Sequence, residues 1–492
     1  MPAHKRFPAI ALLVLFVVAV TLGFVVAQHR EKALVTNDFD YSLFLQFNVR
    51  AFDPSLAPVG SINSFSSGNN MFFKKGPDGA PTIWRWVHME PIKIIPAFLY
   101  TLSHSILASY FFYIVLFFLP LLYGGYLLWK RPTHGALISL GLIALAVYPS
   151  SFLYAAGELR AFFILPSLFV CFVLSLLYRR PFAEKIILLI LFLLVREEAL
   201  VLSAAAIVWE LLRNRRDDAP HKDTAVLASV VAGWTALTLL YNWYVAYTFN
   251  PPIPGILLFP ALFVCLCVGV AVLWWLWNKG TDVWTFAPDS IFALTSLVPV
   301  TFSLITIEHL GSPLRVIYGR YGFMSFYVFV AVLVAYLYDH NRTGLQKKIA
   351  VTGLALCIAL FVISEALPHA SATREYVARW DAGAQDDTLV YRAAESIPRD
   401  TPVLLDATTM VAFYLHQNTY AYNFLPYSLA HLDEEAAFPA NTAQLRTLIS
   451  SGISYVVLLN ADADPLLTLI KEAGKHTQLV EQNSKFSFYR IK

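Results

Sequence analysis

The chain has 492 residues, 58% of them hydrophobic and 14% charged, with a mean hydropathy of +0.59. Soluble globular chains carry about 25% charged residues, so most of this one is built for lipid rather than water. A net charge of +3 is too small to suggest a nucleic-acid partner. The four cysteines, Cys171, Cys265, Cys267 and Cys357, all lie in apolar runs and offer neither a disulfide framework nor a zinc spacing.

The first apolar run, 8–28, follows His4, Lys5 and Arg6. A signal-peptide core is shorter, roughly 7–15 residues, whereas about 20 residues cross a bilayer, so this run reads as an uncleaved first helix. Further spans are expected near 105–129, 135–155, 161–178, 223–247, 256–277, 290–307, 320–338 and 347–366. The stretch 184–212 decides the topology. One helix there would send Arg213, Arg215 and Arg216 to the outer side, against the rule that basic clusters stay cytoplasmic. Two short helices, about 186–195 and 199–212, keep them inside, with Arg196, Glu197 and Glu198 at the turn. Those charges are costly in a lipid-facing span but tolerable at the apex of a broken helix beside a wet cavity. With that hairpin, Lys5/Arg6, Lys130/Arg131, Arg179/Arg180, Lys279 and Arg342/Lys347/Lys348 also fall on the cytoplasmic side. The outer side then receives the loop 29–104, a turn at 157–160, the segment 308–320 and everything after about 367.

The tail changes character. Val403-Leu404-Leu405 and the run SYVVLL (454–459) read as strands, 478–481 and 486–491 as a hairpin turning at Asn483-Ser484. Helices are expected near 408–415, 441–451 and 466–473, with Gly452 and Gly474 as helix stops. No glycine-rich nucleotide loop is present. The fold class is therefore mostly α: a polytopic transmembrane helical bundle over 1–366, followed by a small soluble α/β domain over 367–492, extracytoplasmic in this topology.

Candidate chemistry gathers on the outer side. The loop opens TNDFDYSLFLQFNVRAFDP, where Asp38 sits at a helix-capping position and Asp40 lies past it. It re-enters the apolar phase through TIWRWVHMEPIKIIPAFLY. Trp84, Arg85, Trp86 and Lys93 read there as interface anchors. His88 and Glu90 form a titratable pair just before Pro91, either a ligand site or ordinary interfacial polarity. Glu158/Arg160, Arg196/Glu197/Glu198 and Glu308/His309/Arg315/Arg320 are functional candidates by their depth, or pairs that hold the bundle together. Carboxylates and arginines around one outward cavity suit a reaction with an anionic leaving group.

These residues resemble those of the GT-C membrane glycosyltransferases, which have a first span, a long acidic-headed outer loop, many spans and often a terminal soluble domain. The closer resemblance is to a prokaryotic membrane-protein group known as a domain of unknown function near those enzymes. Its F-D-x-x-x-x-x-Q pattern is read at Phe39, Asp40 and Gln46, and its H-x-x-P element at His88 and Pro91. Arg196-Glu197-Glu198, Tyr318-Gly319-Arg320-Tyr321, Ile397-Pro398 and the SYVVLL strand match in order. Two places depart: Gly157-Glu158-Leu159-Arg160 stands where the group often has His-Pro, and Arg-Glu-Glu where Lys-Glu-Asp is common.

The resemblance implies transfer of a sugar from a polyprenyl-phosphate carrier to an acceptor, usually with inversion, on the extracytoplasmic side of the cell membrane. Asp40 is then the expected general base, with Asp38 as helper or as ligand of a divalent metal such as Mg or Mn. Arg196, Arg315 and Arg320 would face the phosphate. His88, Glu90, Glu197 and Glu198 would position sugar or acceptor, and Gln46, Glu158, Arg160 and Tyr321 complete the substrate-binding set. The expected partners are the bilayer, the lipid-linked donor and an acceptor whose identity stays open. Two other classes stand beside this one. A transporter or flippase for a lipid-linked or polar solute would also use broken helices with charges at mid-depth, although the two halves show no paired repeats. A non-catalytic envelope-assembly protein would tolerate replacement of Asp40.

Overall fold

The computed structural model describes residues 6–32, 52, 73–75, 81–83, 90–130, 161–196, 198–216, 219–248, 352, 388–406, 409, 412–413, 415–416, 419–421, 446, 449–450 and 452–492. Its helices in the first half are α1 (Phe7–Lys32), α2 (Ile94–Ser103), α3 (Ile106–Lys130), α4 (Leu165–Leu177), α5 (Phe182–Leu193), α6 (Glu198–Arg216) and α7 (Lys222–Thr248). Within α1, α3 and α7, the stretches Phe7–Gln28, Ile106–Lys130 and Lys222–Leu240 are long and apolar enough to cross a membrane. The expected spans at 135–155 and from 256 to 338 lie outside the described residues, as does that at 347–366 apart from residue 352.

Helices α1 and α3 form a close pair. Apolar side chains alone cannot drive helices together in lipid, so small residues that let the backbones approach carry such seams. A Cβ on Gly125 would lie 3.1 Å from the Ala9 carbonyl oxygen, and one on Gly23 would lie 3.1 Å from Ile114. The other face of α1 exposes Leu13, Val14, Val17 and Val18, as a lipid-facing surface should. Arg6 stacks over Trp129 at 4.7 Å, so the start of α1 meets the end of α3 and the two run antiparallel. Pro120 lies inside α3 and has no N–H for the Leu116 carbonyl. The next carbonyl, that of Phe117, accepts the Ser167 hydroxyl of α4 at 2.6 Å. Every residue of α4 is buried, which makes it the central helix.

Hydrogen bonds fix the path of α5 and α6. The chain leaves α4 through Arg179, at a left-handed φ of 47°, and starts α5 at Phe182. Arg213, near the far end of α6, donates to the Leu176 and Leu177 carbonyls, both at 3.2 Å. It thereby caps the last turn of α4, whose Leu176 carbonyl also accepts the Arg179 N–H at 3.0 Å. Helix α5 thus runs away from this end and α6 returns to it. Asn214 donates to Thr224 at 3.0 Å, which starts α7 here too. Arg6, Lys130, Arg179, Arg180 and Arg213 all share this basic end. The break between Leu193 and Glu198 lies at the opposite end.

The segment between α1 and α2 contains a two-stranded antiparallel ribbon, β1 (Phe73–Lys75) and β2 (Pro81–Ile83). The tail carries α8 (Thr388–Ser396), β3 (Val403–Leu405), β4 (Thr419–Ala421), β5 (Tyr455–Leu459), α9 (Ala463–Glu472), β6 (Thr477–Gln482) and β7 (Phe486–Ile491). They form one five-stranded sheet, β4-β3-β5-β7-β6, with β3 parallel to β4 and β5 and β7 antiparallel to β5 and β6. The unbroken apolar run of β5 suits a strand covered on both faces. Leu466, Leu469 and Ile470 of α9 pack on one face with Val456 and Leu458. Leu389, Val390 and Ala393 of α8 cover the other with Val457, Phe486 and Phe488, and that cluster is continuous with the core of the helix bundle. Asn483 shapes the β6–β7 turn by accepting the Lys485 and Phe486 N–H groups at 2.9 and 2.6 Å. Arg399, just past α8, lies within electrostatic reach of Tyr100 on α2.

Candidate functional site

Buried polar groups gather at both ends of the bundle. At the basic end they hold helices. Glu210, 2% exposed, pairs with Arg213 at 3.0 Å, and Glu184 accepts from Tyr123 and from Arg180. The Tyr123–Glu184 bond joins α3 to α5, and the Arg213 bonds to the Leu176 and Leu177 carbonyls join α6 to α4.

The opposite end is different. Pro91 opens a short 3-10 turn, Pro91–Lys93, that leads into α2, with Glu90 at its N-cap. The i,i+3 spacing brings Glu90 and Lys93 into an ion pair. The two are 6% and 5% exposed. The Ile92 N–H donates to the Leu194 carbonyl at 2.9 Å and fastens this turn to the end of α5. Arg196, 6% exposed, lies two residues beyond Leu194 in the break before α6. The buried side chains of Glu90, Lys93 and Arg196 thus lie at this end. Tyr113 of α3 is 2% exposed and lies within electrostatic reach of Glu90. Its hydroxyl has no hydrogen-bond partner among the described residues. A buried donor left in that state costs about 1–3 kcal/mol, so the position suits a group that a ligand completes.

The structure corrects the reading of Lys93. It is not an interface anchor with its ammonium in water. Glu90 one helical turn earlier, and the turn imposed by Pro91, draw it inside the bundle. Tyr113 was missed because it sits in an apolar run. The visible signal was a pair of polar-tipped residues, Tyr110 and Tyr113, within that run. Glu198 opens α6 at the same break. Asp38, Asp40, Gln46, His88, Glu158, Arg160, Glu197, Arg315, Arg320 and Tyr321 lie outside the described residues. Asp38 and Asp40, the pair suggested for a divalent metal, are among these. Within the described residues no three His, Cys, Asp or Glu side chains gather as metal ligands.

No family model matches the chain, and no curated protein matches it in sequence. Among solved structures it is similar to ArnT from Cupriavidus metallidurans in the apo state, with 12% identity, a TM-score of 0.47 and coverage of 98% of each chain. A likeness of that grade assigns neither family nor activity. The case for function rests on the site.

Proposed function

We propose that the chain is an integral membrane glycosyltransferase that moves a sugar from a polyprenyl-phosphate carrier to an acceptor on the extracytoplasmic side. The observation that carries this reading is the set of buried charged side chains, Glu90, Lys93 and Arg196, at a helix break, with Tyr113 within electrostatic reach of Glu90. Departure of a lipid phosphate builds negative charge, and buried cations and hydrogen-bond donors stabilise it far better than water-exposed ones do. Basic clusters face the cytoplasm, so the positive-inside rule turns this site away from it.

In the proposed reaction the acceptor oxygen attacks the sugar carbon, and its proton goes to Asp40. The bond from the sugar carbon to the phosphate oxygen breaks, and its electron pair leaves with the lipid phosphate. Arg196, with Arg315 and Arg320, neutralises that phosphate. Asp38 assists Asp40 directly or as a ligand of magnesium or manganese, and Glu90, Glu197, Glu198 and His88 position sugar or acceptor. The same break with its buried charges also suits a transporter or flippase for a lipid-linked solute.

Native mass spectrometry of the gently solubilised protein tests donor binding. Wild type should carry a polyprenyl phosphate or its sugar derivative, and an Arg196→Gln, Arg320→Ala double variant should lose it. Equal retention of that lipid by both proteins would remove these arginines from the site.

A further inference from the structure

The far side of the molecule carries a second feature that sugar transfer does not use. Arg6 precedes α1 and Lys130 ends α3, and the antiparallel pairing of those helices brings both to Trp129. The Arg6 guanidinium lies 4.7 Å from the Trp129 ring centroid. Arg6 Nε has no hydrogen-bond partner, and neither Arg6 nor Lys130 has an ion pair, among the described residues. Arg180, at the same end, differs: it is held by Glu184 at 2.9 Å and by the Tyr126 hydroxyl at 2.6 Å. Charge at this corner is therefore neutralised on the Arg180 side and left over on the Arg6 side. Trp129 is 45% exposed, and the first turns of the neighbouring α1 expose Phe7, Ile10, Leu13 and Val14. Two uncompensated cations at an aromatic interface residue, next to an exposed apolar helix face, match the two halves of an anionic phospholipid: phosphodiester and acyl chain.

We infer that Arg6, Trp129 and Lys130 form a binding site for the headgroup of an anionic phospholipid in the leaflet at the basic end. A free phosphate would use the cations but not the apolar face next to them. The site bridges α1 and α3 one helical turn from the contact of Gly125 with the Ala9 carbonyl, so its occupant also holds that seam. Arg6 offers a planar fork to the phosphodiester while its face rests on the indole. Lys130 adds a point charge where the end of α3 favours cations.

The test is native mass spectrometry of the full chain released from nanodiscs of phosphatidylcholine doped with phosphatidylglycerol. Wild type should retain phosphatidylglycerol over phosphatidylcholine. Arg6→Gln and Lys130→Gln should each lower that retention about fivefold, the effect of one cation near a charged surface. Lys222→Gln, an exposed cation elsewhere at this end, should leave it unchanged. Arg6→Lys should fall between wild type and Arg6→Gln, because the charge stays and the stacked fork is lost. Circular dichroism of each variant confirms that the fold is kept. Equal loss in all the glutamine variants would reduce the site to diffuse surface charge and overturn the inference. So would equal retention of the two lipids, or displacement of phosphatidylglycerol by millimolar inorganic phosphate alone.

Discussion

Burying Glu90 and Lys93 side by side stabilises each against the other, yet neither gains much over an apolar pair of the same size. Removing one partner is another matter, because it strands a charge in low dielectric. Lys93→Met should therefore cost about 3–5 kcal/mol, and the Glu90→Gln, Lys93→Met double variant should recover most of it. Thermal unfolding in detergent reads both, and equal stability of the two would place the pair in water. Tyr113→Phe separates ligand binding from folding. Its hydroxyl has no described protein partner, so the variant should be more stable than wild type by up to about 1–3 kcal/mol, the cost of a buried unpaired hydroxyl that the substitution removes. Retention of the phosphorylated donor should fall about tenfold or more, the effect of one hydrogen bond to a charged group. At this scale the sequence showed Glu90 and Arg196 because isolated charges stand out in apolar runs. It hid the role of Lys93, since a lysine beside tryptophans looks like an anchor until its partner's position is known. It hid Tyr113, since a tyrosine in a span presents mostly an apolar ring, and its polar tip does not say what it faces.

Helices assemble here through seams of different kinds. The α1–α3 seam depends on small residues, and α4 is tied by side-chain bonds from Ser167 and Arg213. Gly125→Leu should cost about 1–3 kcal/mol, the range for overpacking a close contact, because the nearest atom, the Ala9 carbonyl oxygen, is backbone. Gly233 of α7 has open space at its Cβ position. There Gly→Ala should stabilise by about 0.5–1 kcal/mol through helix propensity alone. Denaturation of the two variants side by side tests whether contact or propensity governs each position. Long apolar helices were legible because lipid leaves few alternatives: α1, α3 and α7 start and end within a few residues of the expected spans. The expected span at 161–178 is a 3-10 turn plus a shorter helix, Leu165–Leu177, and Tyr178 and Arg179 stop it. In the tail, β3, β5 and the β6–β7 hairpin follow their apolar patterns, and α9 begins at Ala463, before the expected 466. Helix α8 and strand β4 were not foreseen. A three-residue strand such as Thr419–Ala421 owes its existence to pairing with β3 rather than to its own residues. The helices expected at 408–415 and 441–451 lie largely outside the described residues.

At the scale of the whole molecule, the described residues Arg6, Lys130, Arg179, Arg180 and Arg213 lie where α4 and α6 finish, while the Glu90–Lys93 turn and the Arg196 break lie at the other end. This polarity predicts orientation. In whole cells of a variant without native cysteines, an impermeant maleimide should label Ser484→Cys in the tail hairpin. It should label Lys222→Cys only after the membrane is opened. The reverse pattern would invert the topology and put the site in the cytoplasm. The most direct test of the central claim is the fate of a lipid-linked sugar in proteoliposomes. Wild type should convert the donor to polyprenyl phosphate and transfer the sugar to acceptor, and Asp40→Asn should retain donor without converting it. Donor that crosses the bilayer with its sugar still attached, at a rate that Asp40→Asn does not change, would contradict the account and make the protein a transporter.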